Sequence, residues 1–191
     1  MNQTKLIVGL GNPTDNYHKT RHNLGSYFVY KYAYVNHIKM IEKKKFLGQV
    51  GYIKDVNYKS FLFVPNTYIN LSGNALLRFL RFYNIVIDNI LIIHDDLELK
   101  AGLVKYKYAT GSSGHNGLKS IINALNKKFL NNKQPILFNR IRIGIGRPKH
   151  KKDVSNFVLS HPSELENKLI LESINDIFCL IDRFINNKCN N

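Results

Sequence analysis

Two rhythms of apolar positions alternate along this chain. Short, nearly unbroken apolar runs occur at residues 5–10 (KLIVGL), 46–53, 61–64 and 90–93. Runs this short, bounded by turn residues, predict buried strands. Gly11-Asn12-Pro13 ends the first run and Pro65 stops the third. Residues 104–108 alternate weakly, as an edge strand does, and Ile141, Ile143 and Ile145 alternate with Arg142 and Gly144 as a half-buried strand. Between these runs the spacing becomes helical. Leu24, Tyr27, Phe28, Tyr32 and Val35 form one stripe; Ala75, Leu76, Phe79, Leu80 and Tyr83 form a second; Leu118, Ile121, Ile122 and Leu125 form a third. Each is the buried face of an amphipathic helix. Leu165, Leu169, Ile174, Ile177, Phe178, Ile181 and Ile185 predict one long helix towards the C-terminal end.

Strands that alternate with helices predict an α/β fold: a single three-layer domain over residues 1–191, with a twisted, largely parallel sheet flanked by helices. The runs at 46–53 and 61–64 are close enough for a hairpin, so the sheet should be mixed. Functional residues in such sheets gather at the carboxyl ends of the strands. Asn12, Asn66, Asn70, His94 and Asp95 all fall at or just beyond the ends of apolar runs.

Composition narrows the class. Of 191 residues, 44% are hydrophobic, enough for a real core. Lys and Arg number 28 against 13 Asp and Glu, a formal charge of +15. Such an excess points to an anionic partner, nucleic acid or an acidic membrane surface. A genomic bias towards Lys and Asn is a second account of the same charge. No stretch approaches the ~18–20 apolar residues of a membrane span, and the N-terminal segment enters a strand without a signal core, so a cytoplasmic protein is expected. The two cysteines, Cys179 and Cys189, exclude a disulfide scaffold and a four-cysteine zinc module, and both should stay reduced.

Several local patterns suggest chemistry. Gly9-Leu10-Gly11 starts like a dinucleotide fingerprint, but Thr14 stands where the third glycine belongs and Pro13 removes an amide that a pyrophosphate would use. His18 and His22 have the spacing of zinc ligands on a helix, yet Lys19 and Arg21 intervene and no Glu follows His18. Asp95-Asp96 could hold magnesium in a nuclease. No G-x-S-x-G elbow is present. His22 and Asp95 can form a water-activating dyad, in which the carboxylate fixes the imidazole tautomer. Asn12, Asn70 and Asn116 can donate hydrogen bonds without adding charge. Lys105 with Lys107, and Arg140 with Arg142, place paired cations on one face of their strands, a spacing suited to phosphates.

The segments KLIVGLGNP, TRHNLG, FVPNTYINLSG, ILIIHDDLEL, SGHNGLKSII and RIRIGIGRP, in this order, resemble those of the bacterial peptidyl-tRNA hydrolases, from Lys5 to about Leu159. Beyond Leu159 only the pattern matches. The resemblance implies a metal- and cofactor-independent hydrolase that cleaves the ester between a peptide and the terminal ribose of tRNA, recycling tRNA from stalled translation. It implies that His22 is the general base, that Asp95 orients it, and that Asn12 holds the substrate and supports the tetrahedral state. Asn70 and Asn116 would grip the peptide backbone and the CCA end, and Tyr17 would pack by the terminal nucleotide. Lys107 and Arg142 would clamp the 5′ phosphate of the acceptor stem, with residues 149–152 extending that contact. The expected partner is peptidyl-tRNA, with no membrane, and the expected state is a monomer.

Two departures stand out. Ile69 occupies a peptide-channel position where the family has Met, and a branched side chain is stiffer there. The loop at 109–113 (ATGSS) has fewer glycines than the family's lid. Two other readings remain open: a non-catalytic RNA-binding relative on the same fold, like the plant organelle splicing factors, and the Asp95/Asp96 nuclease.

Overall fold

The computed structural model describes residues 4–13, 15–54, 59–129 and 135–186. Seven strands form one sheet: β1 (Lys5–Gly9), β2 (Ile41–Lys43), β3 (Gly48–Lys54), β4 (Lys59–Pro65), β5 (Ile90–Asp96), β6 (Val104–Ala109) and β7 (Phe138–Gly144). Their order is β2-β3-β4-β1-β5-β7-β6. The central strands β4, β1, β5 and β7 run parallel, while β2, β3 and β6 pair antiparallel at the margins. The predicted hairpin is β3–β4, and the predicted edge strand is β6.

The parallel strands read as continuous apolar runs because both of their faces are covered. Leu6, Val8, Phe61, Phe63, Ile90 and Ile92 point to one layer, with α2 (Ser72–Tyr83) and α3 (Asn116–Phe129) packed on them. The alternate residues Ile7, Leu62, Val64, Leu91 and Ile93 point to the other. That second layer holds α1 (Leu24–Val35), α4 (Val154–Val158), α5 (Glu164–Glu172) and α6 (Ile174–Ile185).

The structure departs from the expected elements in three places, the first being strand β2, which the apolar pattern did not predict. The long C-terminal helix is two helices, α5 and α6, broken at Ser173, whose hydroxyl donates to Ile170 O at 2.7 Å and competes with the helical ladder. Helix α5 starts on a capping box, in which Ser163 Oγ accepts from Glu166 N and Glu166 Oε2 accepts from Ser163 N. The strand expected from residue 46 begins at Gly48, because Leu47 is left-handed (φ 56°) and ends a 3-10 turn, Lys44–Phe46.

Helix α1 enters very close to the sheet. A methyl group on Gly25 would collide with the carbonyl of Ile93 and stand 2.7 Å from Leu10 N and O. This closeness holds the turn before α1 against the ends of β1 and β5. Gly25→Ala should therefore destabilise the protein by at least ~1–3 kcal/mol, since backbone and not a flexible side chain must move. A urea titration should show a lower midpoint with an unchanged slope.

Candidate active site

Asp95 lies near the carboxyl end of β5, where the sheet brings it between two loops. The 3-10 turn Arg21–Asn23 carries His22 to one side, and the loop before α3 carries His115 to the other. His22 Nδ1 is 2.9 and 3.0 Å from the two Asp95 oxygens, and His115 Nε2 is 3.0 Å from Asp95 Oδ1. All three side chains are buried, and Asp95 is only 2% exposed.

Hydrogen bonding assigns the protons. His115 Nδ1 faces two backbone donors, Gly117 N–H at 3.1 Å and Leu118 N–H at 3.3 Å, and so caps the first turn of α3 as an acceptor. Its proton is therefore on Nε2, which donates to Asp95. A carboxylate only accepts, so His22 Nδ1 must also donate to Asp95, leaving the Nε2 lone pair of His22 free to act as a base. Burial opposes ionisation of Asp95, but His22 and His115 hold its carboxyl well below the usual carboxylate range.

The same three groups could be mistaken for a metal centre, since their ligand atoms lie within 4.8 Å of one another. The donor set does not fit one. A cation on His115 Nε2 would shift the proton to Nδ1, which already faces two N–H donors. Asp96 does not complete a magnesium pair with Asp95: its Oδ2 accepts from Arg142 Nε at 2.6 Å. Nor do His18 and His22 share a helical face. His18 is exposed beyond the 3-10 turn Asp15–Tyr17, while His22 is buried in the next turn.

A cavity of about 790 Å³ opens over the dyad, lined by Asn12, Tyr17, His22, Ile69, Asn70, Asp95, Lys107, Asn116 and Arg142. Asn12 is held from three directions. Its backbone N–H donates to Asn23 Oδ1 at 2.8 Å, Asn23 Nδ2 donates back to Asn12 O at 2.9 Å, and its Oδ1 accepts from Ile69 N at 2.9 Å. The amide orientation is thus fixed, and Nδ2 is left as a donor. Asn70 and Asn116 are exposed, and Ile69 is buried beneath them.

Cations collect on the β7–β6 side. Lys105 lies opposite Arg142, and Lys107 opposite Arg140. Lys107 is exposed, and Lys151 and Lys152 join it on the cavity wall. Arg140 is not part of a phosphate-ready pair. It is buried and donates to Ala109 O at 2.8 Å and Gly111 O at 2.6 Å, so it pins the loop over the cavity. Thr14 and Cys189 lie outside the described residues, and Cys179 is a free, exposed thiol.

Sequence reasoning assigned no role to three residues here. The signal for His115 was its place in Ser-Gly-His-Asn-Gly, just before a helix. Arg21 is also buried. It donates to Ser160 Oγ (2.6 Å), His161 O (2.8 Å) and Glu166 Oε2 (2.7 Å), which ties the His22 turn to the α4–α5 region. His94 donates from Nδ1 to Asp95 O at 2.7 Å, and its Nε2 is buried without a partner among the described residues. Burial and the neighbouring His115 push its pKa down to about 3, so it is neutral.

The carboxyl edge of this largely parallel sheet thus carries an Asp-bonded imidazole, an oriented amide and a cationic rim, and the chain is a hydrolase of α/β architecture that acts on ester bonds. The peptidyl-tRNA hydrolase family model matches residues 6–191, and the chain belongs to that family. The peptidyl-tRNA hydrolase of Buchnera aphidicola subsp. Acyrthosiphon pisum (strain 5A) is 43% identical over 171 residues, spanning 88% of this chain and 92% of that one. That of Proteus mirabilis (strain HI4320) is 43% identical over 182 residues, covering 95% and 90%. The crystal structure of the Acinetobacter baumannii peptidyl-tRNA hydrolase superposes with a TM-score of 0.88 at 35% identity, over 98% of this chain and 91% of that one.

Two outcomes test the proton assignment. Asp95→Asn offers an N–H where His22 needs an acceptor, which forces the wrong tautomer; kcat should fall ~10²–10⁴-fold with tRNA affinity little changed. His94 binds a proton far more readily unfolded (pKa ~6.5) than folded, so its contribution to stability is intact above that pH. Stability should drop as pH falls from about 6.5 towards 3, by up to ~1.4 kcal/mol per unit. His94→Gln should flatten that slope in urea titrations, while the Asp95 contribution is lost only below about pH 4.

Proposed function

We propose that this cleft hydrolyses the ester joining a peptide to the terminal ribose of tRNA, as a single-domain monomer in the cytoplasm. The observation that carries the reading is the His115–Asp95–His22 chain, which leaves the Nε2 lone pair of His22 free in a cavity with an oriented amide donor. His22 Nε2 takes a proton from water, and the hydroxide oxygen bonds to the ester carbonyl carbon. Asp95 stabilises the imidazolium that forms. Asn12 Nδ2 donates to the carbonyl oxygen as it becomes an oxyanion. The C–O bond to the ribose then breaks, and the imidazolium returns its proton to the ribose oxygen. The products are tRNA and a peptide carboxylic acid, which loses its proton to solvent.

The rim serves binding. Lys107 and Arg142 engage the 5′ phosphate of the acceptor stem, and Lys151 and Lys152 extend that contact. Tyr17 packs by the terminal nucleotide, and Asn70 and Asn116 hold the peptide backbone and the CCA end. Asp96 supports this role, because it bonds Arg142 through Nε and leaves the outer guanidinium edge for an anion.

Single-turnover hydrolysis of a peptidyl-tRNA tests the reading. His22→Ala should lose ~10²–10⁴-fold in rate. Turnover at the parent rate would remove His22 from the chemistry, and tight tRNA binding without cleavage by the parent protein would leave only the RNA-binding role. Lys107→Ala should raise KM more than it lowers kcat. It should also reduce the log–log salt slope by roughly one unit.

A further inference from the structure

Charge is divided unequally between the two helical layers. Helices α5 and α6 carry Glu164, Glu166, Glu172, Asp176 and Asp182, whereas α2 and α3 contain no acidic residue. No Asp or Glu occurs anywhere in residues 56–87 or 99–152. On the α2 side the cations gather at one place. Arg78, Arg81 and Phe82 recur at i, i+3 and i+4 on the outward face of α2. The 3-10 turn Lys44–Phe46 packs beside them and leaves Lys44 and Lys45 exposed. Lys45 Nζ lies 3.6 Å from the centre of the Phe82 ring. That ring is 60% exposed, and edge contacts with Phe46 and Tyr83, at 5.3 and 4.9 Å between centres, fix its orientation. Among the described residues none of the four cations forms an ion pair, not even with Glu42, two residues before the turn.

We propose that this patch is a binding site for single-stranded RNA, separate from the cleft. Phe82 is the platform on which a base stacks, and Lys44, Lys45, Arg78 and Arg81 hold the flanking phosphates. The sheet sets the separation. The cationic rim of the cleft lies at the β7–β6 margin, while Phe46 packs beside β3 and β4 towards the other margin. Five strand spacings, about 24 Å, lie between β6 and β3. A phosphate held at Lys107 and Arg142 is therefore out of reach of Phe82, and the occupant of the patch is a different stretch of RNA.

Other causes and occupants fit these residues less well. A compositional bias towards lysine would scatter cations over the surface and would not empty one layer of acids. The C-terminal end of α2 favours a cation at Arg81 but accounts for none of the other three. A helix lying on a membrane presents a row of apolar residues, whereas the exposed face of α2 shows one ring beside Asn74, Arg78 and Arg81. Duplex RNA keeps its bases stacked on one another, so an oriented ring finds no partner there, while a single strand offers the face of every base. The acid-free layer draws the polyanion in. Lys45, on its flexible stem, exchanges the ring for a phosphate as the base arrives.

Fluorescence anisotropy of the full chain with a 12-nucleotide uridine RNA lacking a 5′ phosphate tests the site. Phe82→Leu keeps an apolar side chain against Phe46 and Tyr83 but removes the ring, and should weaken binding about tenfold. Lys44→Gln/Arg81→Gln should reduce the log–log salt slope by about 1.4 units, as the loss of two single-strand phosphate contacts requires. Lys107→Ala should leave both quantities unchanged. The patch variants should keep the parent's melting curve and its single-turnover rate on peptidyl-tRNA, since neither touches the cleft. Should the double variant melt early, Arg78→Gln repeats the slope test at half the size. Unchanged affinity in Phe82→Leu overturns the site, and so does loss of binding in Lys107→Ala, which would put the oligonucleotide in the cleft. Equal affinity for an RNA duplex of the same length also overturns it, as does capture of phosphatidylserine vesicles or polyglutamate in place of the single strand. No binding by the parent ends it outright. None of these outcomes bears on the hydrolase reading, which the peptidyl-tRNA assay tests by itself.

Discussion

A carboxylate sealed between two imidazoles is the constraint on which the rest of this structure depends. An unpaired buried carboxylate would be severely destabilising, so Asp95 can stay ionised only while both rings donate to it. Each ring reaches it from a different element, and each element is fixed independently. The Arg21–Asn23 turn is pressed onto the strand ends by the Gly25 approach and anchored by Arg21 to Ser160, His161 and Glu166. His115 is fixed by the helix it caps. The dyad is therefore a meeting point of three separately anchored pieces, which gives the imidazole one orientation and one tautomer before any substrate arrives.

Charge is handled in the same economical way around the cleft. Arg140 and Arg142 alternate on one strand, yet they do different things. Arg140 spends its donors on the carbonyls of Ala109 and Gly111 and shapes the loop above the cavity. Arg142 is braced through one nitrogen by Asp96. A fixed cation thus stands beside a flexible lysine, Lys107, so the rim pairs a defined charge position with an adaptable one.

The parts of the fold that could be read from the sequence are those in which burial alone sets the residue pattern. Strand β5 reads as an apolar run because both of its faces are covered, and α3 shows a clean stripe because only one of its faces is. Strand β2 was invisible: Ile-Glu-Lys is exposed throughout and carries one apolar residue. The break at Ser173 was hidden because the apolar stripe continues through it, while a single hydroxyl turns the chain. At the site, His22, Asp95 and the asparagines were legible from residue type and place. His115 was not, because its importance lies in two hydrogen-bonding directions that only the folded ring displays. Arg140 was misread for a related reason. Alternation tells which face a side chain occupies, but not how deep that face lies.

The margins of the sheet carry one further consequence. Open strand edges invite pairing with other chains, and both edges here are guarded. On one side β2 is very short and carries Glu42 and Lys43; on the other, β6 presents Lys105 and Lys107 along its length. The lysines that give the β6 side its attraction for polyanions also keep that edge from templating aggregation. Drift towards fewer cations on this strand would therefore weaken the positive field over the cleft and colloidal solubility together.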